Sequence, residues 1–143
     1  MAPDPQIGES DLGYLAGIID GEGSISIIKD KREGKKGYVF RVGIKMTHEK
    51  TILHIKNLFG GSITPFPSKN PNHKDTFLLF WTGHAAQNLL IKIFDKLITK
   101  QRQAALFLAF PITYVGGNLS EEEKQLREQI YRVMKESNIR GRI

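Results

Sequence analysis

A short apolar segment that ends in two acidic residues is the strongest constraint on how this chain folds. Residues 12–23 read LGYLAGIIDGEG, so large apolar residues alternate with glycine and alanine before Asp20 and Glu22. At about 100° per residue, the small residues and the first acid fall on one side of a helix. The remaining positions are large and apolar, which predicts a helix buried on all sides. The small side predicts a close helix–helix contact and consists of Gly13, Ala16, Gly17 and Asp20.

The end of this segment resembles the motif of a known family. Residues 15–23, LAGIIDGEG, are similar to the motif that names the LAGLIDADG homing endonucleases, because small residues, large residues, both acids and both final glycines occur in the same order. The resemblance implies a metal-dependent endonuclease that cuts both strands of a long pseudo-palindromic site in double-stranded DNA. Family members with one motif act as homodimers. Only one copy occurs here, so the resemblance implies a homodimer that pairs through the small side of the helix.

The charge distribution favours a polyanionic partner. The net charge is +6, yet residues 1–23 contain five acids and no Lys or Arg. Subtracting that −5 from the total leaves +11 on the rest of the chain. An acidic helix end within a basic body suits metal-assisted chemistry on a phosphate backbone. Ordinary solubility charge is the alternative interpretation.

The absence of some features narrows the class of protein further. There is no cysteine, which excludes disulfides, zinc–thiolate sites and a cysteine nucleophile. No signal peptide, transmembrane run or basic presequence is recognisable, which predicts an intracellular protein of a prokaryotic cytoplasm or an organelle, with no membrane partner. Residues 1–9 predict a flexible tail, and residues 10–143 predict a single domain. We expect its core over about 10–110 and C-terminal helices over 111–143.

Hydrophobic periodicity predicts an α+β fold with an antiparallel sheet. Ser10 or Asp11 is expected to cap the first helix, Thr47 the second, and Ser120 with Glu123 the last. This order agrees with the αββαββα core of the resembled family, whose sheet forms a DNA-binding saddle. The strands are expected at 24–29, 39–46, 62–66 and 76–82, and the later helices at about 48–59, 84–97, 100–110 and 121–137.

The candidate catalytic residues follow from the resemblance. It implies that Glu22 and the carbonyl of Gly21 bind Mg²⁺ or another hard divalent cation such as Mn²⁺ or Ca²⁺, for which oxygen ligands are suited. Lys100 resembles the basic residue beside the scissile phosphate, and His48 resembles the polar residue that orients water. A surface lysine and an ordinary histidine are the alternatives. Asp20 matches the first acid of the motif and is included among the catalytic candidates. Packing and capping at the helix end is the role that we favour for it.

The polar face of the predicted strands is the candidate DNA-reading surface, because a major groove admits a β-ribbon. An ordinary solvated sheet face is the alternative. Which residues of 76–82 share that face is ambiguous, because apolar residues occupy both alternating sets. Trp81 and the phenylalanines are expected to pack in the core rather than to stack on bases. The predicted DNA-binding residues are Ser24, Ser26, Ile28, Asp30, Arg32, Lys35, Lys36, Arg41, Gly43, Lys45, Thr64 and Phe66.

Two other functions on the same fold stay open. Some members of the resembled family assist RNA splicing as maturases, which makes intron RNA an alternative partner. A DNA-binding regulator that has lost cleavage is the other alternative. The acid at Glu22 favours cleavage, because neither alternative needs it. No phosphate-binding glycine loop, dinucleotide-binding fingerprint or serine-nucleophile motif points to another class of enzyme.

Overall fold

The computed structural model describes residues 6–29, 37–110 and 120–140, with only the backbone of 139 and 140. Within these ranges the helices and strands follow the predicted order, which confirms the α+β class. A single 3₁₀ turn, Phe94–Lys96, extends the third helix. The elements are α1 (Glu9–Glu22), β1 (Gly23–Lys29), β2 (Tyr38–Met46), α2 (Glu49–Phe59), β3 (Ser62–Phe66), β4 (Thr76–Thr82), α3 (Gly83–Ile93), α4 (Gln101–Ala109) and α5 (Glu121–Arg140).

The four strands form one antiparallel sheet in the order β1-β2-β4-β3. Arg41 at the middle of β2 lies opposite Ser26 on β1 and Thr82 on β4. Gly43 lies opposite Phe80 on β4. Since residues directly opposite each other in an antiparallel pair share a face, this register assigns every strand residue to one side of the sheet.

One face of the sheet is covered by helices and forms the core. Phe40, Val42 and Ile44 of β2 are buried on this face, as the alternation of the sequence predicts. Trp81 on β4 is also buried, and its Nε1 donates a hydrogen bond of 3.1 Å to the carbonyl of Phe59 at the end of α2. The expectation that Trp81 belongs to the core is therefore confirmed.

The opposite side of the sheet, called the outer face below, mixes polar and apolar side chains. The register places Phe80 here, which resolves the ambiguity of β4 and shows that the expectation of a core position was wrong for this residue. Phe66, predicted to lie on this surface, is 43% exposed. The outer face comprises Ser24, Ser26, Ile28, Val39, Arg41, Gly43, Lys45, Ser62, Thr64, Phe66, Thr76, Leu78, Phe80 and Thr82.

The two ends of the domain use different helix caps. Helix α1 begins one residue after Gly8, whose N–H donates to the Asp11 carboxylate at 3.0 Å. Asp11 therefore takes part in the cap from inside the first turn, and Ser10 lies within the helix rather than capping it. The capping box of α5 is confirmed, because Glu123 N–H donates to Ser120 Oγ at 3.1 Å and Ser120 N–H donates back to the Glu123 carboxylate at 3.3 Å.

The Glu128 carboxylate attaches helix α5 to the sheet at the far end from Glu22, where β1 ends and β2 begins. It accepts hydrogen bonds from Lys29 Nζ at 3.0 Å, from the Tyr38 hydroxyl at 2.8 Å and from Arg132 Nε at 3.2 Å. The bond from Tyr38, followed by that from Lys29, holds the pKa of Glu128 below its ordinary value. Burial, followed by the bond to Glu128, raises the pKa of Tyr38 to about 12. No helix in the described ranges has the length and apolar character that crossing a bilayer requires.

Candidate active site and nucleic-acid interface

The site is built at the junction between α1 and β1. The helix ends at Glu22 and the chain turns directly into the first strand at Gly23. A Cβ on Gly23 would lie 2.7 Å from the Cα of Ile19 and 2.8 Å from its carbonyl oxygen, so only glycine fits this turn. The turn leaves Glu22 exposed at the end of the helix, where the backbone dipole is already negative. The carboxylate makes no hydrogen bond or ion pair with the described residues.

Asp20, the other acid of the motif, is fully engaged by backbone groups. One carboxylate oxygen accepts from Ile98 N–H at 2.8 Å, and the other accepts from Lys100 N–H at 3.0 Å. Asp20 therefore holds the turn that precedes α4 against the end of α1. This geometry matches the packing and capping role, and it directs the carboxylate into the chain's own loop.

Lys100 is drawn to the same helix end by its side chain. Its Nζ donates a hydrogen bond of 2.7 Å to the carbonyl of Asp20. The two residues are bonded in both directions, because the Asp20 carboxylate also accepts a hydrogen bond from the Lys100 backbone N–H. Lys100 is half-buried at the side of a cavity of about 430 Å³ between β1, α4 and the end of α5. The cavity is lined by Gly23, Ser24, Ile25, Ser26, Thr99, Lys100, Gln103 and Asn138.

A second cavity, of about 260 Å³, lies beside Glu22. His48 lines it and caps α2, a role that the sequence assigned to Thr47. The ring Nδ1 accepts from Thr51 N–H at 3.3 Å and lies 2.7 Å from the Thr51 hydroxyl. An accepting Nδ1 places the ring proton on Nε2, which makes Nε2 a donor. The cavity is lined by Glu22, Lys45, Met46, Thr47, His48 and Thr76.

The four predicted catalytic residues are thus gathered around one helix end. Glu22 shares a cavity with His48, and Asp20 is bonded to Lys100 on the adjoining side. Gly21 is exposed in the last turn of α1, where backbone carbonyls lack a partner further along the helix. Among the described residues, no three side chains of His, Cys, Asp or Glu converge on a metal position.

The predicted DNA-binding residues of the strands lie on the outer face, as expected. Four others, Asp30, Arg32, Lys35 and Lys36, lie outside the described residues. The sequence reasoning missed Phe80, Leu78 and Thr82, which the pairing with β2 brings onto this face. Strand parity could not find them, because β4 is apolar on both sides and only its register with β2 decides between them.

The exposed side of α1 differs in part from the expected one. Gly13, Gly17 and Gly21 are exposed, and within the described part of the chain no packing neighbour lies within 4 Å of where a Cβ would be. Tyr14 beside them is 45% exposed, so the helix is not buried on all sides within this chain. Ala16 is 1% exposed and packs in the core, which corrects its assignment to a chain–chain interface. It lies on the same side of the helix as the buried residues Leu15 and Ile19, about 60–100° from each.

The sequence and the fold can be compared with known proteins. The family model described as LAGLIDADG endonuclease matches residues 15–114. No curated protein sequence matches the chain. Among solved structures, an archaeal intron-encoded homing endonuclease complexed with DNA superposes with a TM-score of 0.69 at 20% identity, covering 90% of this chain and 84% of that one.

Two further structures give the same fold. I-CvuI in complex with its target, in the presence of Ca, has a TM-score of 0.59 at 17% identity and covers 85% of this chain and 94% of its own. I-LtrWI bound to target DNA has a TM-score of 0.63 at 23% identity and covers 93% of this chain but only 47% of its own. The chain belongs to the LAGLIDADG endonuclease family, which confirms the family, the fold and the enzyme class that the motif predicts.

Proposed function

We propose that this protein is a divalent-metal-dependent homing endonuclease that cuts both strands of a long pseudo-palindromic DNA site as a homodimer. The observation that carries the proposal is the exposed carboxylate of Glu22, which ends α1 at the rim of an open sheet face. His48 lines the same cavity as Glu22, and Lys100 Nζ is bonded to the carbonyl of Asp20 at the same helix end. Because phosphodiester hydrolysis needs an activated water and a stabilised charge on phosphate, an acid flanked by donors is the arrangement it requires.

The donor set at the helix end fits a hard cation. The Glu22 carboxylate and the Gly21 carbonyl are oxygen ligands, which Mg²⁺, Mn²⁺ and Ca²⁺ prefer. These two ligands leave most of a coordination shell for water, for phosphate oxygens and for Glu22 of a second copy. A divalent cation supplies an activated water and neutralises charge that develops on the phosphate. I-CvuI complexes with DNA have been determined in the presence of Ca and of Mg.

The flanking residues have distinct parts in this proposal. Lys100, held by the Asp20 carbonyl, brings a positive charge to the phosphate and stabilises the transition state. His48 presents Nε2–H as a donor that orients water or a phosphate oxygen, because its Nδ1 is occupied by the helix cap. Asp20 fixes the turn that carries Lys100 and contributes to catalysis only through that position.

The exposed glycines of α1 are proposed to pair the two protomers. The revised interface contains Gly13 and Gly17, flanked by Tyr14, and leaves Asp20 at its edge. Helices without Cβ atoms on one side approach each other closely. This pairing brings two Glu22 carboxylates near each other at two negative helix ends, where they repel unless a cation lies between them.

The pairing is tested by substituting Gly17 with Met. A Cβ at position 17 meets no atom of the described residues within 4 Å, so the variant protomer keeps its fold while the side chain blocks the helix approach. Sedimentation velocity should show a dimer for the wild type and a monomer for the variant. Asn88→Met, on the exposed side of α3, is the control and should stay dimeric. A dimer of unchanged affinity for Gly17→Met would exclude this interface.

Cleavage is tested with a randomised duplex library incubated with Mg²⁺ or with EDTA. The wild type should cut one long, roughly two-fold-symmetric site on both strands with Mg²⁺ alone, and Glu22→Gln should cut none. Metal-independent binding without cutting would instead favour a DNA-binding regulator. Preferential binding of structured intron RNA over the duplex would favour a maturase.

A further inference from the structure

Two cations on the outer face are each held over an aromatic ring. Arg41 Cζ lies 4.5 Å from the centre of the Phe80 ring, and Lys45 Nζ lies 4.6 Å from the centre of the Phe66 ring. Both cations belong to β2, and each ring comes from a strand on the same side of it. A cation over an aromatic face is attracted by the ring quadrupole and loses rotational freedom. These two contacts therefore favour one position of each side chain before any ligand arrives.

The position of the Arg41 side chain is restricted in a further way. Its Nε is buried without a hydrogen-bond partner, and no other side-chain nitrogen or oxygen in the described ranges shares that condition. The residue as a whole is only half-buried, so its exposure remains at the outer end of the guanidinium. The orientation of the guanidinium is thus restricted by the Phe80 ring on one side and by the burial of Nε. What it offers outward is the pair of terminal amino groups.

The surroundings of Arg41 leave room for a ligand. Its direct neighbours across the sheet are Ser26 and Thr82, which have short side chains. Phe80 itself lies opposite Gly43, which has no side chain to separate the ring from Arg41. No carboxylate of the described residues is paired with the guanidinium. The group is a positive, oriented double donor at the centre of the open face.

We propose that Arg41 reads a guanine in the major groove of the target, that Phe80 is its positioning residue, and that Lys45 on Phe66 reads a second guanine. Two parallel donors match the O6 and N7 acceptors of guanine, and lysine can serve the same acceptors. The inference rests on the proposed function, since it assumes that the outer face contacts duplex DNA. It adds which base is read and by which paired side chains.

The spacing of the two cations makes the inference specific. Arg41 and Lys45 are four residues apart on one strand, which corresponds to about 13 Å at the usual rise of a strand. With about 3.4 Å between successive bases, that distance spans about four base pairs. Lys45 lines the cavity that contains Glu22, so its guanine lies nearer to the cleaved phosphate. Arg41 then reads about four base pairs further out in each half-site.

The test uses the full-length protein and a randomised duplex library, selected for binding in Ca²⁺. The wild type should enrich guanine at two positions about four base pairs apart in each half-site. Arg41→Met should lower the outer guanine preference by about 5- to 150-fold, because it removes both donors to the base. Phe80→Leu should lower the same preference by about 2- to 30-fold and leave the inner one unchanged.

Two controls separate positioning from a loss of structure. Phe80→Tyr keeps a ring beneath Arg41 and should retain the outer guanine preference. Phe77→Leu makes the same substitution on the same strand but on the core face, so it should lower thermal stability without changing base preference. Lys45→Met should remove only the inner guanine preference.

The outcomes distinguish the failure of guanine reading from the failure of the proposed endonuclease function. A specific site without guanine at either of the two positions would overturn the inference and leave the proposed endonuclease intact. An outer guanine preference that survives Phe80→Leu would do the same. A wild-type chain that enriches no duplex would overturn both.

Discussion

A glutamate carboxylate lies at each end of β1, Glu22 of α1 at its start and Glu128 of α5 at its other end, and the two have opposite surroundings. At the far end, Glu128 accepts hydrogen bonds from Lys29, Tyr38 and Arg132. At the near end, Glu22 is exposed and forms no bond with the described residues. The first carboxylate lowers the free energy of the fold by attaching α5 to the hairpin. The second is left at a negative helix end, where it opposes folding slightly.

The difference shows how the same chemical group is used for stability and for binding. A carboxylate that serves the fold has its acceptors filled by the chain. A carboxylate that is to hold a cation must keep them open, and the fold has to tolerate the resulting repulsion. Asp20 is intermediate between these cases. Its carboxylate accepts hydrogen bonds from two backbone N–H groups, and it affects the site only by positioning Lys100.

Glu22→Gln should give the largest effect and the clearest contrast. Removing several kcal/mol of metal-dependent stabilisation predicts a loss of cleavage rate on the order of a thousandfold or more, at about 1.4 kcal/mol per factor of ten. Stability should stay the same or rise by about 0.3–1 kcal/mol, because a negative charge leaves the helix C-terminus. Single-turnover cleavage and urea unfolding measure the two quantities. A variant that cuts normally would refute the assignment of Glu22.

Asp20→Asn should lower both quantities. The amide replaces one acceptor with a donor that faces Ile98 N–H or Lys100 N–H, which predicts a loss of about 1–3 kcal/mol in stability. Displacing Lys100 by about 1 Å predicts a cleavage rate lowered by up to about a hundredfold. Asp95→Asn, an exposed acid close to the same loop in sequence, is the control and should change neither. Full activity of Asp20→Asn would mean that the turn does not position Lys100.

Tyr38→Phe should affect stability alone. It removes the hydroxyl that donates to Glu128 while keeping the ring, which predicts a loss of about 1 kcal/mol. Tyr131→Phe is a matched control, because its hydroxyl has no hydrogen-bond partner among the described residues. Thermal unfolding should separate the two variants. Equal melting temperatures would show that Glu128 is satisfied without Tyr38.

The pH dependence of stability should give the smallest effect. The folded pKa of Glu128 lies below its ordinary value of 4.5, so its contribution is present above that value and declines as the pH falls through the folded pKa. The stability difference between the wild type and Glu128→Gln should therefore shrink below about pH 4.5. For Tyr38 the sign is reversed, because its pKa is raised to about 12, and its contribution declines from pH 10 upward. Urea unfolding across acid and alkaline pH measures both.

Much of the fold could be predicted because its signals are local. Alternation along β1 and β2 assigned Phe40 and Arg41 to opposite faces, and both assignments are confirmed. The Ser120 capping box is contained within four residues and was also predicted correctly. Two of the errors occurred where neighbouring residues could serve equally. His48 caps α2 in place of Thr47, and Ala16 turns toward the core while Gly17 faces outward.

The sequence by itself determined the helix-to-strand turn at the motif, because no side chain fits at Gly23 and the two acids lie within three positions before it. Only the tertiary structure decided which partners those acids have. Asp20 meets Lys100 across 80 positions of sequence, and Phe80 lies beneath Arg41 because of the register between β2 and β4. Periodicity is encoded in adjacent residues, whereas contacts between distant residues depend on how whole elements pack.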